Sequence, residues 1–259
     1  MSSHKSHSQQ WNIPPYNLQL GAHEVHVWRA SIEASELVIQ YLERLLSKDE
    51  ATKAMHFRFE KDRKHWIVAH GILRILISRY VNKDPSQLRF GFNAYGKPFL
   101  TFPSLSPTLH FNLSHSEGLA LYAFSYSRQI GIDVEYKRTD IDYDSLANVS
   151  FSPDEQSRLH SLPDTMKRDA FFNCWTRKEA YVKAKGKGLS IPTNQFDVTF
   201  MPGEPASLLR SREDPQEITC WSLQELTLGT DFAGALAVEG TRWSLSCWKW
   251  DNEKKYGWA

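Results

Sequence analysis

The chain has 259 residues, with 31 basic and 30 acidic side chains and a formal net charge of +1. That balance gives no global attraction to nucleic acid or to an anionic membrane surface, so an anionic ligand has to be met by a local patch. Hydrophobic residues at 41% and charged residues at 24% describe a globular chain with a sizeable core, either one large domain or two small ones sharing an interface.

The three cysteines, Cys174, Cys220 and Cys247, are far apart and odd in number. They form neither a disulfide framework nor a zinc motif, and a reducing, cytoplasmic setting is expected. The opening segment MSSHKSHSQQ is polar and lacks the apolar core of a leader, and its His4 and His7 read as part of an unordered tail rather than a metal site. The most apolar stretch, Ile72–Tyr80, is interrupted by Arg74 and Arg79, so no segment reaches transmembrane length.

In chain order, residues 1–20 read as an arm. His23–Trp28 alternates polar and apolar and predicts a strand. A helix over Ser35–Leu46 follows, and then Ser47-Lys48-Asp49-Glu50, the spacing at which a serine oxygen and a glutamate satisfy each other's backbone amides at a helix start. A long amphipathic helix over Asp62–Val81 places Trp66, Ala69, Leu73, Leu76, Ile77 and Tyr80 on one face, and Asp84-Pro85 is expected to stop it. Leu88–Phe92 reads as a strand and Asn93–Pro98 as a turn. His110–Leu113 and Leu119–Phe124 read as two strands around Ser114–Gly118, and Ile130–Glu135 is the clearest strand of all.

The second part repeats this rhythm. Ser152-Pro153-Asp154-Glu155 is another capping box, with proline in the first helical position. A long helix over Asp169–Lys185 ends at Gly186, which suits a left-handed cap, and 219–224, 232–238 and 244–250 read as strands of a closing sheet. The recurrence is compatible with chance and with an internal duplication. On the second view an arm (1–20), an N-terminal half (21–128) and a C-terminal half (129–259) meet at a seam near Ser127–Gly131.

Chemistry gathers in four places. In Ile130-Gly131-Ile132-Asp133-Val134-Glu135 the apolar residues share one strand face, and Gly131, Asp133 and Glu135 share the other. Two acids on one strand face are either solvated or gathered around something positive, and their hard oxygens suit magnesium or manganese better than zinc. On the second long helix Trp175, Glu179 and Lys183 fall on one stripe. Glu179–Lys183 is then either a surface ion pair or a third carboxylate followed by a phosphate-binding lysine. In Asn112-Leu113-Ser114-His115-Ser116 adjacent residues of an extended chain point apart, so Ser114 and His115 make a poor nucleophile–base pair and better phosphate donors. Tyr95-Gly96-Lys97-Pro98 offers a close-approach glycine and a lysine, or simply a turn. Neither a Walker loop nor a dinucleotide fingerprint is present.

Together the ordered blocks YGKPFL, FNLSHS, IGIDVE and FFNCWTRKEAYVKAKGKGLS, with the more diffuse HFRFEKDRKHWIVAHGILR before them, resemble the Sfp-type 4′-phosphopantetheinyl transferases. The resemblance implies an α+β fold, a pseudo-twofold pair of similar α/β halves with the metal site carried by the second. It implies that Asp133, Glu135 and Glu179 hold Mg2+ (or Mn2+), and that coenzyme A is the co-substrate. Lys53, Ser114, His115, Lys97 and Lys183 are then expected on coenzyme A phosphates, with the backbone of Tyr95, Gly96 and Lys97 near the adenine and Lys178 in support. Glu50 stands where the family carries a second basic residue for the 3′-phosphate, with Arg58 or Arg63 as substitutes. The implied catalytic residues are Glu179, taking the proton of an attacking carrier serine, and Lys183, assisting the leaving group. Acyl or peptidyl carrier domains are the expected partners, with Tyr136-Lys137-Arg138 as a docking surface and the fused halves working as a monomer. A magnesium-dependent hydrolase and a silent binding module are the alternatives.

Overall fold

The computed structural model describes residues 9–102 and 107–252, so His4 and His7 lie outside the described residues. The first half runs β1 (Glu24–Ser31), α1 (Glu36–Glu43), α2 (Lys48–Met55), α3 (Glu60–Val81), β2 (Arg89–Phe92), β3 (Pro98–Phe102), β4 (Leu109–Ser116) and β5 (Leu119–Tyr126). The second runs β6 (Ile130–Tyr136), α4 (Tyr143–Ser150), α5 (Pro153–His160), α6 (Asp164–Lys185), β7 (Phe196–Val198), β8 (Leu208–Ser211), α7 (Glu217–Cys220), β9 (Trp221–Glu225), β10 (Phe232–Glu239) and β11 (Ser244–Lys249).

The halves repeat one plan. The first sheet runs β11-β1-β5-β4 and the second β6-β10-β9; leaving β11 aside, the first, last and penultimate strands of each half occupy corresponding places. A two-stranded β2-β3 ladder in one half matches β7-β8 in the other. The long helices α3 and α6 are both 22 residues and both end on a left-handed residue, Asn82 (φ 50°) and Gly186 (φ 67°).

The duplication is clearest in two buried cations. Both capping boxes form, Ser47 with Glu50 and Ser152 with Glu155. Each box glutamate also reaches a buried cation on the following long helix: Glu50 takes Arg74 at 2.7 Å, and Glu155 takes Lys178 at 2.7 Å. Arg74 further donates to the carbonyls of Pro85 and Leu88 and lies over the Phe90 ring. Lys178 donates to those of Thr193 and Phe196 and lies over the Phe196 ring. A buried charge is tolerable only when paired and hydrogen-bonded, and each half solves that problem in the same way.

Three apolar cores result. Trp28, Tyr122 and Phe124 pack with Trp66, Ile72 and Leu76 of α3 in the first half. Phe171, Tyr181 and Ala184 of α6 pack with Phe196, Ala235 and Ala237 in the second. Between the sheets, Val25, Val27, Leu121 and Ala123 meet Ile130, Ile132, Val134, Leu236 and Val238. Each sheet is thus covered by a long helix outside and by the other sheet inside, with Asp133 and Glu135 of β6 on the outer, α6 side.

Several expectations shift. Segment 244–250 does not close the C-terminal sheet: β11 crosses the seam and pairs parallel with β1, Val27 opposite Cys247. Its buried Cys247 contributes to the core between the sheets, while Trp250 completes the first half's core. The described part of the arm, residues 9–20, is anchored: Asn12 bonds the backbone on either side of Trp248 and Trp11 donates to Thr227 O. Helix α3 ends at Val81 as expected, but it is the left-handed Asn82 that caps it, and Pro85 opens a short 3-10 turn instead. Helix α6 begins at Asp164, a turn earlier than the apolar pattern announces, because its first turn is polar. The short elements β3, α4, β7, β8 and α7 were not predicted from the sequence.

Candidate functional site

The seam is built from side chains. Strand β4 closes one sheet and β6 the other, and no backbone ladder joins them. Instead, every second residue of β4 caps a backbone amide of β6: Asn112 Oδ1 accepts from Ile132 N (2.8 Å), Ser114 Oγ from Val134 N (3.4 Å) and Ser116 Oγ from Tyr136 N (3.1 Å). The amides of Ile132 and Val134 would otherwise be buried without these partners. Asn112 and Ser116 were not singled out from sequence. The available signal was three polar residues on one face of a strand whose other face, Leu109 and Phe111, is core.

The opposite face of β6 meets α6. A Cβ on Gly131 would lie 2.2 Å from both Ala180 O and Ala184 N, so the helix backbone rests directly on the strand. This close approach is the reason for the glycine. It brings Glu179 and Lys183 of α6 alongside Asp133 and Glu135 of β6. The Lys183 ammonium donates to Asp133 Oδ1 at 2.6 Å and to Ser114 Oγ at 2.9 Å, and Ser114 Oγ donates to the same Asp133 oxygen at 2.9 Å. Ser116 Oγ donates to Glu135 Oε2 at 3.0 Å.

The electrostatics of this cluster are strained. Asp133 is buried, and among the described residues its Oδ2 has no hydrogen-bond partner. Burial, and then the neighbouring Asp133 charge, pushes Glu135 up to about 7, opposed by Ser116 and Lys183. Burial and Asp133 raise Glu179 as well, with Lys183 opposing. Among the described residues, no three carboxylate, imidazole or thiolate groups are drawn together closely enough to make a ready-formed ion site; Asp133 is turned onto the Lys183 ammonium instead. The donor set nevertheless fits a hard divalent cation: two carboxylates, Glu135 and Glu179, whose pKa values burial and the Asp133 charge raise, beside an Asp133 oxygen that is buried and, among the described residues, lacks a partner.

The other expected contacts divide. His115 points away from Ser114, at the far end of β4. Partial desolvation and the neighbouring Lys183 and His65 lower its pKa. Lys53 and His115 both act on His70, which was not anticipated and whose ring stacks on Trp66 at 3.8 Å. His70 Nδ1 pairs with Trp66 O, and burial takes its pKa down to about 4. Lys53 of α2 and His115 of β4 thus lie within electrostatic reach of the same His70. Glu50 is not a misplaced ligand contact, since the Ser47 box and Arg74 absorb its charge. Arg58 lies over the Phe59 ring in an exposed loop, and Arg63 opens α3.

Two lysines depart from expectation. The Lys178 ammonium, expected near phosphates, is buried in the second half's core on Glu155. The Lys97 ammonium, also expected on a phosphate, points inward and donates to Ala184 O (2.9 Å), Ile130 O (3.0 Å) and Gln129 Oε1 (3.4 Å). Tyr95 and Gly96 stay at the surface; Tyr95 is exposed, and Gly96 takes φ +86° with open space beside it. At the supposed docking turn Lys137 pairs with Asp169 and Arg138 with Asp140, beside a partly exposed Tyr136. Among the described residues no helix is long and apolar enough to cross a membrane.

A duplicated α+β scaffold that sets Asp133 and Glu135 of β6 alongside Glu179 and Lys183 of α6 suits an enzyme acting on a phosphate ester. The model of the 4′-phosphopantetheinyl transferase superfamily matches residues 129–237, and that of the 4′-phosphopantetheinyl transferase N-terminal region matches residues 27–126. The chain is 40% identical to the 4′-phosphopantetheinyl transferase HetI of Nostoc sp., over 92% of its own length and 97% of that protein. It is 36% identical to the 4′-phosphopantetheinyl transferase Sfp of Bacillus subtilis over 59% of its length and 66% of that protein. It is 27% identical to the L-aminoadipate-semialdehyde dehydrogenase-phosphopantetheinyl transferase of Xenopus laevis over 75% of its length and 68% of that protein. The chain belongs to the Sfp-type 4′-phosphopantetheinyl transferase family.

Proposed function

We propose that this enzyme transfers the 4′-phosphopantetheine arm of coenzyme A to a serine hydroxyl of an apo acyl or peptidyl carrier domain, releasing adenosine 3′,5′-bisphosphate. The observation that carries the reading is the seam cluster: a buried Asp133 with one oxygen on Lys183 and the other unpartnered, flanked by two carboxylates whose pKa values are raised.

In the reaction the carrier serine oxygen forms a bond to the β-phosphorus while the bridging P–O bond to the bisphosphate breaks. Glu179 takes the serine proton. Its raised pKa makes it a better base than an ordinary carboxylate. Lys183, half-buried and one helical turn further on, meets the charge that develops on the leaving oxygen. Ser114 holds Lys183 and Asp133 in place. Lys53 and His115, both within electrostatic reach of His70, suit the bisphosphate end. Asp133, Glu135 and Glu179 would hold magnesium, which when bound supplies charge neutralisation of the pyrophosphate. The ammonium groups of Lys97 and Lys178 take no part in phosphate binding in this scheme, because protein acceptors already hold them. The chain's work is then cytoplasmic, where coenzyme A and its carriers meet.

The test is incubation of the purified protein with coenzyme A, magnesium and a panel of apo-carrier domains, read by intact-protein mass spectrometry. A gain of the phosphopantetheine mass on a carrier, lost when the metal is chelated, is the expected result. Coenzyme A cleaved at the same rate without a carrier would make the protein a hydrolase, and binding without turnover would make it a silent module.

A further inference from the structure

The hairpin turn Asn93–Lys97 belongs to the first half, yet its polar side chains point into the second. Asn93 Oδ1 accepts from Tyr95 N and Lys97 N at 2.9 Å each, which makes the turn rigid. Asn93 Nδ2 then donates 2.7 Å to Gly186 O, the left-handed residue that ends α6. The half-buried Lys97 ammonium donates to Ala184 O in the last turn of α6 and to Ile130 O at the first residue of β6. A helix C-terminus presents carbonyls without intrahelical partners and a partial negative charge, and a cation there answers both. The fit is close on every side. A Cβ on Gly186 would lie 2.8 Å from Lys97 Cδ, and one on Gly188 would lie 3.5 Å from Tyr95 O.

One ammonium thus ties together the hairpin of one half and the two elements of the other that carry the cluster. Ala184 follows Lys183 directly, and Ile130 starts the strand that bears Asp133 and Glu135. We infer that Lys97 is a positioning residue, a latch between the halves that caps α6 from outside its own half and so holds the last turn of α6, which carries Lys183, against the hairpin and the start of β6. The groups facing Lys97 are Gln129 of the seam, Glu239 at the end of β10 and His110 of β4. Glu239 is itself fixed by accepting from Gln129 N. The consequence for turnover rests on the transferase reading; the latch itself does not.

Lys97→Met keeps the length and the apolar stem and removes the donors. In the full-length protein without coenzyme A, backbone amide exchange in peptides covering 93–97 and 184–188 is expected to accelerate at least ~10-fold, with α3 unchanged as an internal reference. In transfer assays the KM for coenzyme A is expected to rise ~10-fold while the KM for the carrier stays within about twofold. Lys97→Arg, which keeps a charged donor, is expected to restore most of the protection, and it serves as the readout should Lys97→Met not fold. Unchanged exchange in ligand-free Lys97→Met combined with lost coenzyme A binding would make Lys97 a direct ligand contact and overturn the latch. Altered exchange in a protein with no transferase activity would leave the latch standing and sink the functional reading instead.

Discussion

Asp133 is the residue on which the chemistry turns. Its side chain is 3% exposed, one oxygen is shared by Lys183 and Ser114, and the other is buried without a partner. Asp133→Asn keeps the shape and removes the charge; transfer is expected to fall ~100-fold or more while the thermal melt stays cooperative. Lys183→Ala is expected to lower kcat ~100-fold with the carrier KM little changed, and a rise confined to the carrier KM would remove Lys183 from the phosphate. Glu135 supplies a pH signature. Its pKa is about 7 in the folded protein against an ordinary value of 4.5, so the folded state binds more protons than the unfolded one between these values. Stability without metal is therefore expected to decline as pH rises from about 4.5 through about 7. Glu135→Gln should flatten that decline, and added magnesium should offset it in melts at pH 8 more than at pH 5.

At the scale of elements, the site exists because α6 lies on β6 with nothing between their backbones. Gly131→Ala would place a methyl 2.2 Å from Ala180 O and Ala184 N, and these are backbone atoms that cannot swing aside. The helix must lift, at a cost of ~3 kcal/mol by the usual scale of overpacking, which in a chain of this size lowers Tm by roughly 6–12 °C. Activity should fall further than stability, because lifting α6 separates Glu179 and Lys183 from Asp133. A Gly131→Ala protein with unchanged Tm would mean that the strand and helix are not in backbone contact. The side-chain stitching of β6 by Asn112, Ser114 and Ser116 works at the same scale. It gives Ser114 a structural task that the motif alone did not suggest.

At the scale of the molecule, two similar halves share one central core, and β11 makes the sharing irreversible. The last strand of the chain is an edge of the first half's sheet, and Cys247 packs among Val25, Ile132 and Leu236. Ending the chain after Trp243 removes that strand and Trp250 from the first half's core as well. The truncated protein is expected to lose its cooperative melt and to bind a hydrophobic dye; an unchanged transition would show that the halves cohere without it. The family's two-half architecture thus appears here with a strand lent across the seam.

Sequence by itself determined what is local or periodic. The alternation of Ile130–Glu135 separated a core face from an acidic face. The serine–glutamate spacing marked both capping boxes, and Gly186 marked the end of α6; each of these is set by neighbours within a few residues along the chain. The resemblance carried by IGIDVE and WTRKEAYVKAKGKGLS marked out Asp133, Glu135, Glu179 and Lys183 as one site. Tertiary structure alone decided where side chains without a local partner would go. Lys97 and Lys178 both sit in motifs that look ligand-binding, yet the free carbonyls at the end of α6 claim one and the Glu155 box claims the other. Strand β11 has an ordinary strand pattern that names no partner, and only the vacant edge of β1 selected its sheet. The physical reason is common to all three: an ammonium or a strand edge can be satisfied by any acceptor of the right geometry, and that acceptor lies tens of residues away in sequence.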